Sequence, residues 1–231
     1  MKIERISSGT PGFDRLIQTG FKRNSINLIA GEPGSGKTIM ALQFLLEGCK
    51  KNEPGIYITF EEKKDKLYED MATLGWDLGQ YEKKGLFMYL EYTPEQVKKV
   101  LVEGGGIIDS IIDKIKVKRI VIDSISSFSL LYSDELTKKE AALALFDLIN
   151  KWNCTAILTS QGKAADHNLI MEAALEFEVD SIIILYHSKK KGERVRAIEI
   201  LKMRGTQIPD KTFEITINSK GLSITNKIVK I

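Results

Sequence analysis

Gly31 to Thr38 read Gly-Glu-Pro-Gly-Ser-Gly-Lys-Thr, a GxxxxGK[ST] run between a short apolar segment, Ser25 to Ala30, and a helically spaced one, Lys37 to Lys50. A strand that runs through a glycine-rich turn into a helix gathers backbone N–H groups and the positive helix end at one place, which suits phosphate oxygens. Gly34 and Gly36 allow the turn from Gly31, with Glu32, Pro33 and Ser35 between the glycines. Lys37 is placed to reach β- and γ-phosphates, and Thr38 to offer its hydroxyl to Mg²⁺ bridging those phosphates. A chance match to the bare pattern is on the order of a few per hundred, and the flanking strand and helix lower it further, so a plain glycine turn is set aside.

Three further segments carry chemistry-bearing residues. Arg119 to Asp123 (RIVID) ends an apolar run with an acid at the strand edge where the phosphate loop also opens. An Asp there is by itself a helix cap or turn former, but beside an intact phosphate loop it reads as the residue that holds a Mg²⁺ water. Glu61 and Glu62 follow IYITF at the same kind of edge. Either can orient or deprotonate an attacking water, and both also fit the acidic first turn of a charged helix. Leu201 to Thr206 (LKMRGT) sets Lys202 and Arg204 two apart, which on a strand puts both cations on one face. An arginine aimed at a γ-phosphate, from the same chain or a neighbour, stabilises transition-state charge; a solvated strand face is the other reading.

The elements that must position these residues alternate. Strand-like runs at 25–30, 56–60, 86–91 and 119–123 are each followed by a helical pattern: from Lys37, from Lys63, near Pro94 and from Asp134 to Trp152. Thr155 to Ser160 and Ser181 to Tyr186 are further buried-strand candidates. Strands apolar at consecutive residues belong in a sheet covered on both faces, so an α/β fold with a mostly parallel, doubly wound sheet follows. Runs at 194–202, 211–217 and 222–225 have no helices between them and predict an antiparallel C-terminal extension. Gly104 to Gly106 separate two helical pieces, 95–103 and 108–116. Neither a repeat nor a linker interrupts the chain, which is therefore expected to form one domain over residues 1–231.

Composition removes several classes. With 231 residues, 43% hydrophobic and 28% charged, the chain has the makeup of a globular domain able to fold without staples. Cys49 and Cys154 lack CxxC spacing and lie in apolar patterns, so they read as small buried hydrophobes in a reducing cytoplasm. His167 and His187 have no second ligand at metal spacing, which argues against a zinc site. Apolar runs such as Ile182 to Tyr186 are too short for a membrane helix, and the polar start after Met1 shows no targeting pattern. A net charge of +3, from 34 basic and 31 acidic residues, is too balanced for a dedicated nucleic-acid binder.

Taken together, these segments resemble the KaiC-type members of the RecA-like P-loop ATPases. GTPGFDRLIQTGF at 9–21, GEPGSGKT, YITFEE with LGWDL at 74–78, VIDS at 121–124 and KMRGT at 202–206 occur in that family's order over nearly the whole chain. The resemblance implies ATP and Mg²⁺ as ligands, with Glu61 as catalytic base and Glu62 beside it. It implies a ring, commonly a hexamer, in which Lys202 and Arg204 reach the next subunit's nucleotide. Ser160 and Gln161 resemble the polar sensor of RecA-like recombinases, and residues 161–171 correspond to the loop that lines the ring centre. Two departures matter: Asn24 stands where glycine is common, and the NSKG turn at 218–221 lacks the usual acid. The clock protein of the family has two tandem domains, so a phosphorylation clock is not implied.

The leading expectation is an ATPase with shared active sites, coupled to regulation or to a protein partner not identified by sequence. A nucleotide-binding switch with negligible hydrolysis is the alternative. A recombinase-like DNA binder has little to work with, because residues 161–171 offer only Lys163 and His167 and no aromatics, and Lys189 to Lys191 read as a solvated hairpin tip. A small-molecule kinase leaves FEE and KMRGT unexplained.

Overall fold

A computed structural model describes residues 3–129, 131–132, 134–162, 178–190 and 192–231. In chain order the elements are β1 (Arg5–Ile6), β2 (Phe21–Lys22), β3 (Ile26–Gly31), α1 (Lys37–Lys50), β4 (Gly55–Thr59), α2 (Lys64–Thr73), α3 (Leu78–Lys83), β5 (Phe87–Glu91), α4 (Pro94–Val102), α5 (Gly106–Ile115), β6 (Arg119–Asp123), α6 (Ile125–Ser129), α7 (Glu135–Lys151), β7 (Thr155–Gln161), β8 (Ser181–Lys190), β9 (Glu193–Met203), β10 (Phe213–Asn218) and β11 (Gly221–Ile228).

Nine strands form one sheet in the order β11-β10-β9-β8-β3-β7-β6-β4-β5. The six from β8 to β5 pair in parallel, and β9 to β11 continue antiparallel. This is the mostly parallel, doubly wound sheet with an antiparallel C-terminal extension that the sequence predicts. β3 lies between β7 and β8 and leads to β4 beyond β6, so the phosphate loop leaves the sheet at a crossover.

Alternate residues of each central strand feed two cores, because successive strand side chains point to opposite faces. Ile29, Val121, Ile157, Ile183 and Leu185 join α1, the segment around Phe13 and Phe21, and Leu222 and Ile224 of β11. Leu28, Ala30, Ile120, Ile122 and Leu158 pack instead with Ile108 and Ile112 of α5 and with Leu145, Phe146 and Ile149 of α7. Both faces are therefore dry, which is why these strands read as continuous apolar runs.

Several local features add to the sequence expectations. The 9–21 segment is bracketed by the two-stranded β1–β2 sheet and includes a 3-10 turn at Asp14–Ile17. LGWDL has a packing explanation: Trp76 lies so close to Gly221 that a Cβ there would sit 2.5 Å from its ring, and Asp77 caps α3 by accepting from the Gln80 N–H at 2.9 Å. Asn24 takes φ +57, the conformation for which glycine is the common choice. β8 and β9 extend as a paired ribbon to Lys190↔Glu193, past the apolar part of their pattern.

One buried cation fastens these layers. Arg119 is fully buried at the start of β6. Its guanidinium donates to Glu53 Oε2 at 2.6 and 2.8 Å and to the Ser7 and Phe44 carbonyls, each at 2.8 Å. It therefore ties the entry segment, α1 and β6 together, and its centre lies 4.6 Å from the Phe44 ring centroid.

Candidate functional site

The carboxyl ends of β3, β4, β6 and β7 open together. Gly34 at φ +76 and Gly36 at φ +106 make the turn after β3, where a side-chain-bearing residue would be strained. A Cβ on Gly31 would lie 2.2 Å from the Leu185 carbonyl, so glycine also permits the close approach of β8. Gly36 caps α1 without a side-chain hydrogen bond, so the first N–H groups of this 14-residue helix remain for an anion. Lys37 folds back on the loop, donating to the Gly31 and Glu32 carbonyls at 2.8 and 3.0 Å. Burial lowers its pKa despite the nearby charges of Asp123, Glu32 and Glu61. Those two carbonyl contacts hold the ammonium at the point from which it can swing to a phosphate.

Thr38 and Asp123 meet directly, with the hydroxyl donating to Oδ2 at 2.7 Å. Tyr57 donates to the same oxygen at 2.8 Å, and the Thr159 hydroxyl donates to Oδ1. Burial, reinforced by Asp123, pushes the Tyr57 hydroxyl well above its usual range, so it stays protonated and acts as donor. The set around Thr38 is all oxygen, which suits a hard cation. Among the described residues no group of three or more His, Cys, Asp or Glu could hold a metal. A cation here must complete its shell with phosphate and water, which is how Mg²⁺ is held beside a nucleotide. Thr38 and Asp123 fit that demand, and the Ser124 hydroxyl at the same cavity is buried with no hydrogen-bond partner among the described residues.

Glu61 and Glu62 stand on the turn after β4, oriented by Thr59, whose Oγ1 accepts from both of their N–H groups at 3.3 Å. The helix begins only at Lys64, so the acids precede it and face the cavity. Glu61 is exposed and accepts a hydrogen bond from the Ser127 hydroxyl of α6. Glu62 is partly buried, and desolvation followed by the Asp123 and Asp70 charges raises its pKa. A cavity of about 530 Å³ brings Pro33, Gly34, Lys37, Thr38, Glu61, Glu62, Asp123 and Gln161 to one place, together with Lys63 and Lys66.

The two residues expected to act as a sensor divide. Gln161 is exposed at the cavity, and its N–H donates to Ser126 Oγ at 2.8 Å. Ser160 is buried behind it, 3.3 Å from Ser126 Oγ. Glu32 contributes its carbonyl, and Ser35 is fully buried beneath the loop. Lys163, His167 and most of the 161–171 loop lie outside the described residues, as does Lys191.

Lys202 and Arg204 are not brought to this cavity. Lys202 donates to the Val179 carbonyl at 2.8 Å, and the Arg204 N–H donates to the Asp180 carbonyl at 2.8 Å. Asp180 is itself bonded to Ile26, at the opposite end of β3 from Gly31. Five residues of strand, roughly 16 Å, separate the two edges. Moreover β9 ends at Met203, so Arg204 sits in the following turn, and the two-residue strand spacing does not fix its direction. Two other residues flank the loop unforeseen: Arg196 of β9 donates to the Gly34 carbonyl at 3.0 Å, and His187 of β8 lies 3.4 Å from the Pro33 carbonyl. Tyr57 and Thr159 were also missed; hydroxyl-bearing residues inside otherwise apolar buried strands were the signal.

The cysteines are buried and their thiols displaced upward by desolvation, to about 11 for Cys49 and about 12 for Cys154. Among the described residues, no helix is long and apolar enough to cross a membrane.

Comparison with known proteins gives a consistent placement. The family described as "ATPase: KaiC" matches residues 6–228. The circadian clock protein KaiC3 of Synechocystis is 34% identical over 230 residues, covering 96% of this chain but 46% of that protein, so the chain spans about half its length. A UPF0273 protein of Pyrococcus horikoshii is 31% identical, with 98% of this chain and 96% of that protein covered. The crystal structure of a KaiC-like protein from Pyrococcus horikoshii superposes with a TM-score of 0.86 at 33% identity, covering 97% of this chain and 100% of that one.

Proposed function

Because this chain belongs to the KaiC family of ATPases, we propose that it hydrolyses ATP with Mg²⁺ at sites shared between neighbouring copies in a ring, most simply a hexamer. One observation carries the reading. Lys37, Thr38, Asp123 and Glu61 converge on one cavity, whereas Lys202 and Arg204 lie at the other sheet edge. Cations at that edge serve the nucleotide of a second copy rather than their own.

The chain's groups have separable tasks. The N–H groups at the start of α1 and the Lys37 ammonium bind the phosphates. Thr38 donates to Asp123 and keeps an oxygen lone pair with which it would hold Mg²⁺, and the bound ion would neutralise phosphate charge. Glu61 takes the proton of a water at its carboxylate as the water oxygen bonds to the γ-phosphorus and the bond to the ADP oxygen breaks. Gln161, linked through Ser126 to α6, stands where loss of the γ-phosphate is felt. Arg204 of the adjoining copy stabilises the transferring phosphoryl group. The reading includes coupling to a protein partner and a cytoplasmic setting, the latter suited by two buried free thiols.

Mixing two inactive variants tests the shared site. An interface that takes its loop from an Arg204→Ala copy and its arginine from a Glu61→Gln copy is wild type in every named group. Mixed rings should recover hydrolysis that neither variant shows alone. Recovery no greater than the sum of the separate variants contradicts the reading.

A further inference from the structure

The acids of this site rest on a pair of tyrosines that phosphate-loop chemistry does not itself require. Tyr57 and Tyr89 are register partners on the adjacent parallel strands β4 and β5. Their rings stack with centroids 5.9 Å apart and an interplanar angle of 20°. From this pair one hydroxyl reaches each side of the site: Tyr57 donates to Asp123 Oδ2, and Tyr89 donates to the Glu62 carbonyl. We infer that the stacked tyrosines are positioning residues that hold the metal-side carboxylate of Asp123 and the base-bearing Glu61–Glu62 turn in fixed relation. The inference rests on the Mg²⁺–ATP reading of the site.

Three hydroxyls, from Thr38, Tyr57 and Thr159, occupy the Asp123 carboxylate. An ionised carboxylate accepts about four hydrogen bonds, so about one acceptor direction remains for a metal-bound water, and its orientation is set by the other three. Of these donors Thr38 has a second task at the metal. Tyr57 and Thr159 have none, and Tyr57 is fully buried and clamped by its stack. Outside the pair, Tyr68 meets Tyr89 edge-on at 6.2 Å and bonds Glu82 at 3.1 Å, while Lys64 joins the same Glu82. The positioning unit is therefore braced by α2 and α3. A phenylalanine at either position keeps the ring, the stack and the burial and removes only the donor.

The test uses the full chain with Tyr57→Phe and Tyr89→Phe, with Mn²⁺ as the metal probe and a non-hydrolysable ATP analogue as nucleotide. Mn²⁺ binding is read by paramagnetic resonance, and single-turnover ATP hydrolysis is measured separately at saturating metal. Tyr57→Phe should weaken Mn²⁺ binding about tenfold or more, the usual cost of losing an outer-shell partner. Tyr89→Phe should leave Mn²⁺ affinity unchanged and slow the single turnover about tenfold. A purely structural role predicts instead a parallel loss in both readouts that follows melting temperature, and that pattern overturns the inference. If the wild-type chain binds Mn²⁺ with the analogue and Tyr57→Phe binds it equally well, the positioning role fails while the site reading stands. If the wild type binds neither, both fall. Should Tyr57→Phe not fold, an unchanged turnover in Tyr89→Phe overturns the paired device.

Discussion

Replacing Arg119 by methionine should lower the melting temperature by about 6–8 °C. The linear side chain fills much of the same volume, so the change removes the guanidinium rather than opening a large cavity. Four hydrogen bonds disappear, two to Glu53 and one each to the carbonyls of Ser7 and Phe44. Among the described residues Glu53 then keeps only Arg23, at 3.8 Å. Breaking a buried ion pair from one side costs about 3–5 kcal/mol, and the partial exposure of Glu53 favours the lower half of that range. Over 231 residues the unfolding entropy is about 0.5 kcal/mol/K, so a loss of about 3–4 kcal/mol corresponds to the stated shift. Calorimetry of wild type and variant at equal protein concentration measures it. A shift below about 2 °C would mean that Arg119 does not fasten α1 to β6, and the argument from its four donors would be wrong.

The functional groups carry their own expectations. Lys37→Ala should abolish ATP binding, measurable by equilibrium dialysis, because no second ammonium stands within the loop. Glu61→Gln should retain binding and slow hydrolysis by about 10²–10⁴-fold; a variant with wild-type turnover would remove Glu61 as base. Arg204→Ala should leave nucleotide binding largely intact and reduce turnover by about 10³-fold or more, and full turnover in this variant would end the shared-site idea. Glu62 has a raised pKa, so its native state holds the proton more tightly than the unfolded chain. Its contribution to stability is present below the unfolded pKa and lost as pH rises through the native value. Glu62→Gln should therefore melt above wild type near about pH 8 and lose that advantage near about pH 4; the opposite order would refute the desolvation argument.

How far the sequence reaches can be judged element by element. α1, β6 and β7 were legible almost to the residue because dry strands and an amphipathic helix leave strong apolar patterns, and the phosphate loop because its glycines and Lys-Thr pair are tied to one geometry. Thr38 beside Asp123 was legible as a pairing of motifs 85 positions apart. The support around them was not. Tyr57 and Thr159 look like core residues until register places their hydroxyls at Asp123, and Arg119 looks like the polar end of a strand until three other segments close over it. α3 and α6 are too short to show periodicity. Arg204 shows the opposite error: spacing suggested a strand face, but the strand stops one residue earlier and only sheet topology reveals which edge it occupies.

The most direct measurement is Mg²⁺-dependent ATP hydrolysis per subunit over a wide protein dilution series, with assembly followed on the same samples by light scattering. A site completed by a neighbour's Lys202 and Arg204 predicts that specific activity falls as the assembly dissociates. Constant activity per subunit down to monomer would show that one chain suffices and would contradict the account.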